Sequence, residues 1–370
     1  MIVEFKKRGH ESYVVYYEKR NIPVDYVFSC TNHYIKTVNR TWDNILVEWR
    51  DVLEKVQPDV IISLNHNKKA LQFLKNTPSS IKRVTFNHLQ PFPGIEYTRQ
   101  TSMVMRPKSL SHFLLKWTGV LFPYVLAKYY ERHEKKIFSQ TIACCDLYGV
   151  LTDGYIERIV KYYPQVPREK LFCIPNPNPF WNDKNQISPK ENIILFIGRL
   201  SNMPKNPMSF LRVWKRLENK NQEWKALIVG SGSATKSMKR YCEQQQLKNI
   251  SFEGRQEDVA SYYKRSKIVC VTSFFESWNM SIVEGMNYGC VPVVYHSYEA
   301  TRELINDHVN GLLIKPFDEK EMVKKIQGLI DNEKLMTSLS RHAVEKVKAY
   351  ALPAIINQWE KLLGGLCGGF

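Results

Sequence analysis

The 370-residue sequence lacks the short motifs that identify several classes of protein. Its eight cysteines form no CxxC pair and show no ligand spacing with histidine, which argues against a zinc site and a disulfide framework. The stretch after Met1 has no continuous apolar segment following its basic cluster, so no secretory signal is visible. We therefore expect a cytoplasmic protein with reduced cysteines.

Long apolar runs are also absent. The most apolar window, Phe113–Ala127, is interrupted by Lys116, Gly119 and Pro123 and falls short of the ~18–20 apolar residues that a membrane-spanning helix needs. The composition, 44% hydrophobic and 24% charged, is that of an ordinary globular protein. At roughly 100–200 residues per domain, the length predicts two domains or three.

Negative charge is scarce. The chain has 53 lysines and arginines against 36 acidic residues, which gives a net charge of +17 and a pI near 9.4. This balance indicates an acidic partner, and nucleic acid, nucleotide phosphates and anionic lipid headgroups all qualify. Nucleic acid is the weakest of the three, because the excess charge is spread over both halves and no nucleic-acid-binding motif is present. We expect no nucleic-acid partner.

Short apolar runs alternate with helical stretches along the whole chain. Most of these runs are continuously apolar, as expected for parallel strands covered on both faces, and the rhythm indicates doubly wound α/β domains. The predicted strands are Ser12–Tyr17, Val60–Leu64, Ile81–Phe86, Tyr148–Leu151, Ile193–Ile197, Lys225–Val229, Ile250–Phe252, Ile268–Val271 and Val291–Val294. The predicted helices include Trp42–Val56, Met208–Glu218, Thr235–Gln245 and Glu319–Leu329.

A proline-rich segment at Ile174–Phe180 (IPNPNPF) divides the chain, because its prolines disfavour both helix and strand pairing. We expect one Rossmann-like domain at 1–180, a second at 190–350, and a C-terminal helix and tail at 351–370. A doubly wound domain opens with a strand and a Gly-rich turn, but Met1 falls in what reads as the first helix. The sequence thus predicts that the first strand and loop are missing, through a truncated or misassigned start.

A glycine and two cations follow the first strand of the second half. Gly198 ends this strand, Arg199 comes next, and Lys205 lies six residues further on. A glycine there lets a ligand approach the backbone and two cations can clamp a diphosphate, although solvated cations at a turn also fit. Gly230 follows the next strand and can cradle a phosphate, or simply form a tight turn. The remaining features of a dinucleotide motif are absent.

Two glutamates lie eight residues apart. Glu276 is expected in the loop after a strand, and Glu284 within the following helix. Because eight residues at ~100° each leave them ~80° apart, the two carboxylates need not share a face. Asn279, Met280 and Ser281 would present free backbone N–H groups at the start of the helix, which is an anion site. Glu284 can then accept from a ribose diol while Glu276 meets sugar hydroxyls.

In combination, these motifs resemble the retaining glycosyltransferases of family 4, the glycosyl transferases group 1. The resemblance covers nearly the whole chain and is most specific over residues 193–316, where Gly-Arg-x5-Lys, Gly-x-Gly and Glu-x7-Glu occur in order and Asn310–Pro316 reads NGLLIKP. The fold that it implies is GT-B, an α/β architecture of two Rossmann-like doubly wound domains facing a central cleft.

The resemblance also implies roles for single residues. Gly198 matches the glycine at the donor's pyrophosphate, and Arg199 and Lys205 match its paired cations. Glu276 matches the glutamate on the donor sugar, and Glu284 the one on the ribose. The other candidates are Asn279, Met280, Ser281 and Gly230 at the donor, Arg255 in the loop that frames the nucleobase, and His88 beside the donor sugar. For His88, a hydrogen-bonded histidine of a strand-to-helix loop is an equal alternative.

The sequence departs from the family pattern after Glu276. Members commonly have Gly-Phe-Gly or Gly-Phe-Pro there, whereas this chain has Ser277, Trp278 and Asn279, which leaves sugar selectivity at this loop open. The sequence has no DxD motif, consistent with transfer that needs no metal. Arg199, Lys205 and the helix N-terminus would then stabilise the leaving diphosphate. We expect no cofactor or metal, only a nucleotide-sugar donor such as a UDP- or GDP-sugar as substrate.

Residues 106–136 form a basic and aromatic-rich segment with seven lysines and arginines against two glutamates. Such a surface suits the headgroups of an anionic membrane. A helical hairpin packed on its own domain is the alternative. The sequence thus leaves open a peripheral place on the inner face of the cytoplasmic membrane.

The resemblance implies transfer of a sugar, with retention, to a glycan or lipid-linked acceptor in the synthesis of bacterial surface polysaccharide (capsule, lipopolysaccharide or exopolysaccharide). Two alternatives remain. One is an inactive glycosyltransferase-like binding subunit, which the missing first strand would favour. The other is a different enzyme on the same architecture, a nucleotide-sugar 2-epimerase or a phosphorylase.

Overall fold

The computed structural model describes residues 1–16, 31–34, 41–64, 66–92, 94, 98–99, 101–102, 109–181 and 189–368. Residues 182–188, between the two predicted domains, lie outside this set. Contacts divide the chain into two units. The first unit comprises residues 1–91, 132–177 and 352–370, and the second comprises residues 92–131 and 178–351.

The described part of the chain contains the following strands and helices. The strands are β1 (Tyr13–Tyr16), β2 (Thr31–Tyr34), β3 (Val60–Ser63), β4 (Lys82–Phe86), β5 (Leu147–Val150), β6 (Leu171–Cys173), β7 (Glu191–Ile197), β8 (Lys225–Val229), β9 (Ile250–Gly254), β10 (Ser266–Val271), β11 (Val291–Tyr295) and β12 (Leu312–Ile314). The helices are α1 (Ile2–Lys7), α2 (Trp42–Val56), α3 (Lys68–Lys75), α4 (Leu110–Leu121), α5 (Pro123–Cys144), α6 (Asp153–Tyr162), α7 (Pro207–Glu218), α8 (Thr235–Gln244), α9 (Ala260–Arg265), α10 (Met280–Asn287), α11 (Ala300–Leu304), α12 (Glu319–Ile330), α13 (Glu333–Val347) and α14 (Leu352–Cys367). All the strands predicted from sequence are present, while β2, β6 and β12 were not predicted.

The first unit contains two parallel sheets in its described residues. One is the pair β1–β2, and the other has four strands in the order β3-β4-β5-β6. Each strand of the larger sheet is parallel to the next in sequence, which requires crossover connections over its faces. Helix α2 buries Ile45, Trp49 and Leu53, which recur every four residues on one face.

Helix α14, from the end of the chain, packs within the first unit. The ring of Trp359 lies 5.2 Å from that of Phe86 in β4 and 5.7 Å from that of Phe172 in β6. On the same helix, Glu360 accepts from Arg8 at 2.6 Å and contacts His10 at 2.9 Å. The C-terminal helix is therefore part of the core of the first unit.

The second unit is built on a six-stranded parallel sheet in the order β12-β11-β10-β7-β8-β9. The chain enters the sheet at β7, in its middle, and adds β8 and β9 on one side. It then returns to the other side of β7 to add β10, β11 and β12. The strand order reverses between β7 and β10, so this pair is the topological switch point, outside whose carboxyl ends ligands bind in open α/β sheets.

Both faces of this sheet are buried, which accounts for the continuously apolar strand sequences. In β7, Ile194 and Phe196 belong to the large core that also contains side chains of α7, α8, α12 and α13. Ile193 and Leu195 point to the other face, where they pack in a smaller cluster with Tyr263 of α9. Alternate residues of one strand thus support opposite layers of helices.

Helices α4 and α5 are joined at Phe122 and bent by 113°. Among the described residues no single helix has the length and hydropathy to cross a membrane, and only this bent pair meets those criteria jointly. Arg106 and Lys108, at the start of the predicted basic segment, lie outside the described residues.

We expect Trp359→Ala to destabilise the first unit by about 3 kcal/mol or more, because the side chain is only 4% exposed and leaves a large cavity. Urea unfolding followed by circular dichroism measures this loss. Trp42→Ala removes the same type of side chain at a position that is 37% exposed, and should cost much less. Equal losses in the two variants would show that α14 contributes little to the core of this unit.

Candidate functional site

The predicted donor-binding residues of the second unit lie at the carboxyl ends of four neighbouring strands. Gly198 follows β7, Gly230 follows β8, Arg255 follows β9, and Glu276 lies in the loop after β10. The sheet topology therefore gathers at one edge residues that are separated by up to 78 positions in the sequence. This edge includes the switch point between β7 and β10.

Glycine allows the loops after β7 and β8 to approach each other closely. A Cβ at Gly230 would lie 1.9 Å from the carbonyl oxygen of Gly198, and φ of Gly230 is +131°, which side chains disfavour. The Gly198 N–H donates to Val229 at 3.0 Å, and the Gly230 N–H donates to Gly254 at 2.6 Å. Backbone thus packs on backbone beneath the site, and no side chain fits between the loops.

An ion pair joins the two sides of the switch point. Lys205 Nζ lies 2.8 Å from Glu276 Oε1, and the side chains are only 18% and 17% exposed. Ser273 Oγ donates to the same carboxylate oxygen at 3.0 Å. The Phe274 N–H donates to the Pro204 carbonyl at 2.8 Å, which ties the two loops together through their backbones. The cation predicted for the diphosphate and the carboxylate predicted for the sugar therefore contact each other.

The lysine side chain also runs beside the glycine at the end of β7. A Cβ at Gly198 would be 3.4 Å from Lys205 Cε, and φ of Gly198 is +142°. Arg199, by contrast, is exposed and has no ion-pair partner in the described part of the chain. Of the two predicted cations, Lys205 is held in place by the protein and Arg199 extends into solvent.

Helix α10 begins at this edge with an unusual backbone conformation. Asn279 precedes its first residue with φ +68°, in the left-handed region that asparagine and glycine tolerate best. The family resemblance places glycine or proline at this position, so asparagine preserves the conformation that glycine would allow. The side-chain amide of Asn279 donates to Tyr298 at 3.0 Å and leaves the start of the helix uncapped.

The first turn of α10 therefore offers backbone donors. The N–H groups of Met280 and Ser281 have no acceptor within the helix, as at the beginning of every helix. Ser281 Oγ donates to the Ile197 carbonyl at 3.3 Å and so anchors the helix to the end of β7. Trp278, just before the helix, is buried and lies edge-on to Tyr350 at 5.1 Å. Its ring belongs to the core of the second unit.

Glu284 lies within α10, and Glu276 in the preceding loop, as the spacing predicts. Tyr263 donates from its hydroxyl to Glu284 Oε2 at 2.7 Å. Burial raises the pKa of the Glu284 carboxyl, while the bond from Tyr263 and the positive charge of Lys205 act in the opposite direction. Lys205 thus influences both glutamates of the motif.

No pattern in the sequence points to Tyr263 or Tyr298, since their contacts with the motif arise only on folding. The two remaining candidates are Arg255, at the same edge of the sheet, and His88, in the other unit. Arg255 is exposed after β9. His88 belongs to the first unit, where it follows β4 with its ring 4.8 Å from that of Phe86, and burial lowers its pKa. Its place beside a donor sugar stays a prediction.

Metal-binding groups do not gather in the described residues. No three side chains of histidine, cysteine, aspartate or glutamate are arranged there to hold a metal ion. Seven cysteines of this part of the chain are free thiols, and several are deeply buried. Transfer without a metal stays a prediction.

Comparison with known sequences supports the predicted family for the second unit. Residues 177–346 match the family model of the glycosyl transferases group 1. A Campylobacter jejuni protein, GalNAc-alpha-(1->4)-GalNAc-alpha-(1->3)-diNAcBac-PP-undecaprenol alpha-1,4-N-acetyl-D-galactosaminyltransferase, is 31% identical over 225 residues. This match covers 59% of the chain and 60% of that protein, so the chain spans about three fifths of the relative's length.

Comparison with solved structures covers nearly the whole chain. Sucrose-phosphate synthase from Thermosynechococcus elongatus has a TM-score of 0.71 at 15% identity, over 98% of this chain and 90% of that one. HepE from Anabaena, in complex with UDP and glucose, has a TM-score of 0.66 at 15% identity, over 90% and 86%. These likenesses confirm the predicted fold class, which is GT-B with Rossmann-like α/β domains.

We expect Gly230→Ala to destabilise the second unit by about 2 kcal/mol or more, because alanine is strained at this φ and its Cβ would overlap the Gly198 carbonyl. Gly328→Ala is the matched control, since nothing lies within 4 Å of its added Cβ. In a helix such as α12, that change should be neutral or stabilising. Thermal melting distinguishes the two, and a Gly230→Ala protein as stable as the control would contradict the close packing of the loops.

Proposed function

We propose that the chain is a retaining glycosyltransferase that needs no metal and moves a sugar from a nucleotide-sugar donor to a glycan or lipid-linked acceptor. The observation that carries the proposal is the edge formed by Gly198, Lys205, Glu276 and the start of α10 at the switch point. It combines a glycine for close approach, a cation, backbone donors and a carboxylate, which are the groups that a sugar diphosphate requires.

The diphosphate would lie against Gly198 and the first turn of α10. The N–H groups of Met280 and Ser281 favour negative charge there, and the positive end of the helix dipole adds to them. Lys205 lies at the same edge, and exposed Arg199 can swing toward a bound anion. The large positive charge of the chain favours the approach of such a ligand.

Binding would exchange one partner of Lys205 for another. Without a ligand, the lysine charge is balanced by Glu276 at 2.8 Å. A diphosphate next to Gly198 would share that charge, and the carboxylate of Glu276 would then accept hydrogen bonds from sugar hydroxyls. The buried charge of Lys205 has a negatively charged partner in both states, Glu276 without a ligand and the diphosphate with one. The site is therefore organised before the donor binds.

The chemical step builds negative charge on the leaving nucleoside diphosphate. Lys205, Arg199 and the start of α10 would stabilise this charge electrostatically, in the role that a divalent cation plays elsewhere. Glu284, held by Tyr263, would accept from the ribose hydroxyls and fix the nucleotide. We propose that the acceptor attacks from the face that the diphosphate leaves, so that the anomeric configuration is retained.

The acceptor class rests on the relatives. The Campylobacter jejuni protein is named for a glycan on PP-undecaprenol, which is a lipid-linked acceptor. We propose an acceptor of this class for the present chain, in the synthesis of bacterial surface polysaccharide.

We expect one of UDP, GDP, ADP and CMP to raise the melting temperature of the purified chain. At 100 times its dissociation constant, a ligand stabilises a protein by about 2.7 kcal/mol, or several degrees. Lys205→Ala should abolish the shift, because the variant lacks the held cation. Lys220→Ala, an exposed lysine before β8 and thus toward the amino end of the sheet, should keep it. No shift with any nucleotide in a cooperatively melting chain would contradict the proposed donor site.

Glu276→Ala should separate sugar binding from nucleotide binding. We expect at least tenfold weaker binding of the nucleotide-sugar by calorimetry, with little change for the corresponding nucleoside diphosphate. Glu223→Ala is the control, since this exposed glutamate also precedes β8. Equal losses for both ligands would show that Glu276 acts on the diphosphate or the fold, and no loss for either would remove it from the site.

A further inference from the structure

Helix α4 carries an exposed apolar stripe. Leu110 is 75% exposed, Leu114 58% and Leu121 63%, and Phe113 and Trp117 are about half exposed. Counted from Leu110, the other four residues lie 3, 4, 7 and 11 positions further along the chain, and so all five fall within about 100° of one another around the helix axis. A helix on the surface of a globular protein normally turns polar side chains outward. Here the outward stripe is apolar.

The opposite face of α4 packs against the protein near the end of the helix. Gly119, nine residues after Leu110 and therefore about 180° away, is buried, and a Cβ there would overlap the Ser102 side chain. Near its end, this face of the helix is thus covered by protein, whereas Ser111 and His112 at its start are exposed. The exposed stripe is a second apolar face that the fold does not use.

The stripe continues past the bend. Four large side chains at the bend and in the first two turns of α5 are also exposed by about 60% each, namely Phe122, Tyr124, Val125 and Tyr129. Further along this helix, Lys128, Arg132 and Lys136 follow Tyr124 at intervals of four residues, and all three are exposed. Lys128 Nζ lies 5.9 Å from the centre of the Tyr124 ring and 3.0 Å from Glu131. One face of α5 therefore changes from aromatic to basic along its length.

We propose that residues 110–136, which we term the elbow, dock the protein on an anionic lipid bilayer. The apolar stripe would enter the boundary between headgroups and acyl chains, and the cations would contact the phosphates of anionic lipids. Trp117, Tyr124 and Tyr129 combine an apolar ring with a polar group, the combination that is enriched at this depth of a membrane. The proposal is independent of the donor site.

The dimensions of the elbow favour a position in the membrane interface over one that spans the bilayer. Helix α4 has 12 residues and is about 18 Å long, which is well short of the ~30 Å hydrocarbon core. The 113° bend then turns the chain away from the direction of α4. An elbow of this shape can place one face in the headgroup boundary while the rest of each helix stays with the protein.

Charge favours lipid over a second copy of the chain. A twofold interface would bring the same patch of each copy together, so Lys128, Arg132 and Lys136 of one copy would approach those of the other. Two glutamates, Glu131 and Glu134, oppose five lysines and arginines in residues 110–136. An anionic bilayer attracts this excess of positive charge, whereas a second elbow repels it.

The test is sedimentation of the full chain with vesicles of phosphatidylglycerol and phosphatidylcholine in a 1:3 ratio. We expect binding to these vesicles in 0.1 M salt and much weaker binding to pure phosphatidylcholine, because each cation near an anionic surface contributes a factor of about five. Raising the salt to 0.5 M should weaken binding several-fold. Equal binding to both lipids, or none to the mixture, overturns the proposal.

Two matched double variants test whether the membrane-binding surface lies on the apolar stripe of α4. Leu114→Glu with Leu121→Glu places two charges in the stripe and should weaken vesicle binding at least tenfold. Val47→Glu with Val309→Glu makes the same chemical change at valines that are also about half exposed, one in each unit, and should leave binding within twofold. Cooperative melting of both variants shows that they fold. Equal effects of the two changes would place the contact elsewhere.

Bilayers with brominated acyl chains test insertion directly. They should quench tryptophan fluorescence in the wild type, and Trp117→Phe should remove most of that quenching while Trp42→Phe keeps it. Light scattering after size-exclusion chromatography tests whether a second copy of the chain covers the elbow instead. A dimer that Leu114→Glu with Leu121→Glu converts to a monomer, in a protein that does not bind vesicles, would assign the elbow to a second copy and overturn the lipid proposal.

Discussion

The second unit depends on how closely the chain can pack its backbone where β7 ends. The loops after β7 and β8 meet with the Gly198 carbonyl at a distance that leaves no room for a side chain on Gly230. Because β8 and β10 flank β7 on opposite sides, every loop of the candidate site is positioned relative to this contact. The site is therefore built mainly from backbone, and few side chains are needed to complete it. Those few, chiefly Lys205 and Glu276, are restrained by one another.

The mostly buried charged side chains at this edge of the sheet have partners within the protein. A lysine that is mostly buried is matched by a carboxylate, and a second carboxylate, on Glu284, is held by the hydroxyl of Tyr263. Burying such charges without partners would be costly. Their pairing keeps the unit stable while leaving charged groups next to the uncapped start of α10. The same groups can thus serve stability in one state and ligand binding in another.

Much of the second unit could be predicted from sequence because its strands are buried on both faces and read as continuous apolar runs. Strands as short as β6 and β12 have only three residues and show no usable period, so they were missed. Motif spacing placed Glu276 in a loop and Glu284 in a helix. It could not show that Lys205 pairs with Glu276, or that Tyr263 holds Glu284, because those contacts depend on where separate segments meet. The contact of Trp359 with Phe86 and Phe172 could not be predicted for the same reason, because it joins segments that are far apart in the sequence.

The place of α14 in the first unit bears on how the protein is made. About 180 residues separate Cys173, the end of β6, from Leu352, where α14 begins. At the pace of ribosomal synthesis, roughly 10 to 40 seconds pass between them. During that interval the apolar rings of Phe86 and Phe172 lack the indole that later covers them. The amino-terminal sheet must therefore remain partly uncovered while residues 178–351 of the second unit are translated.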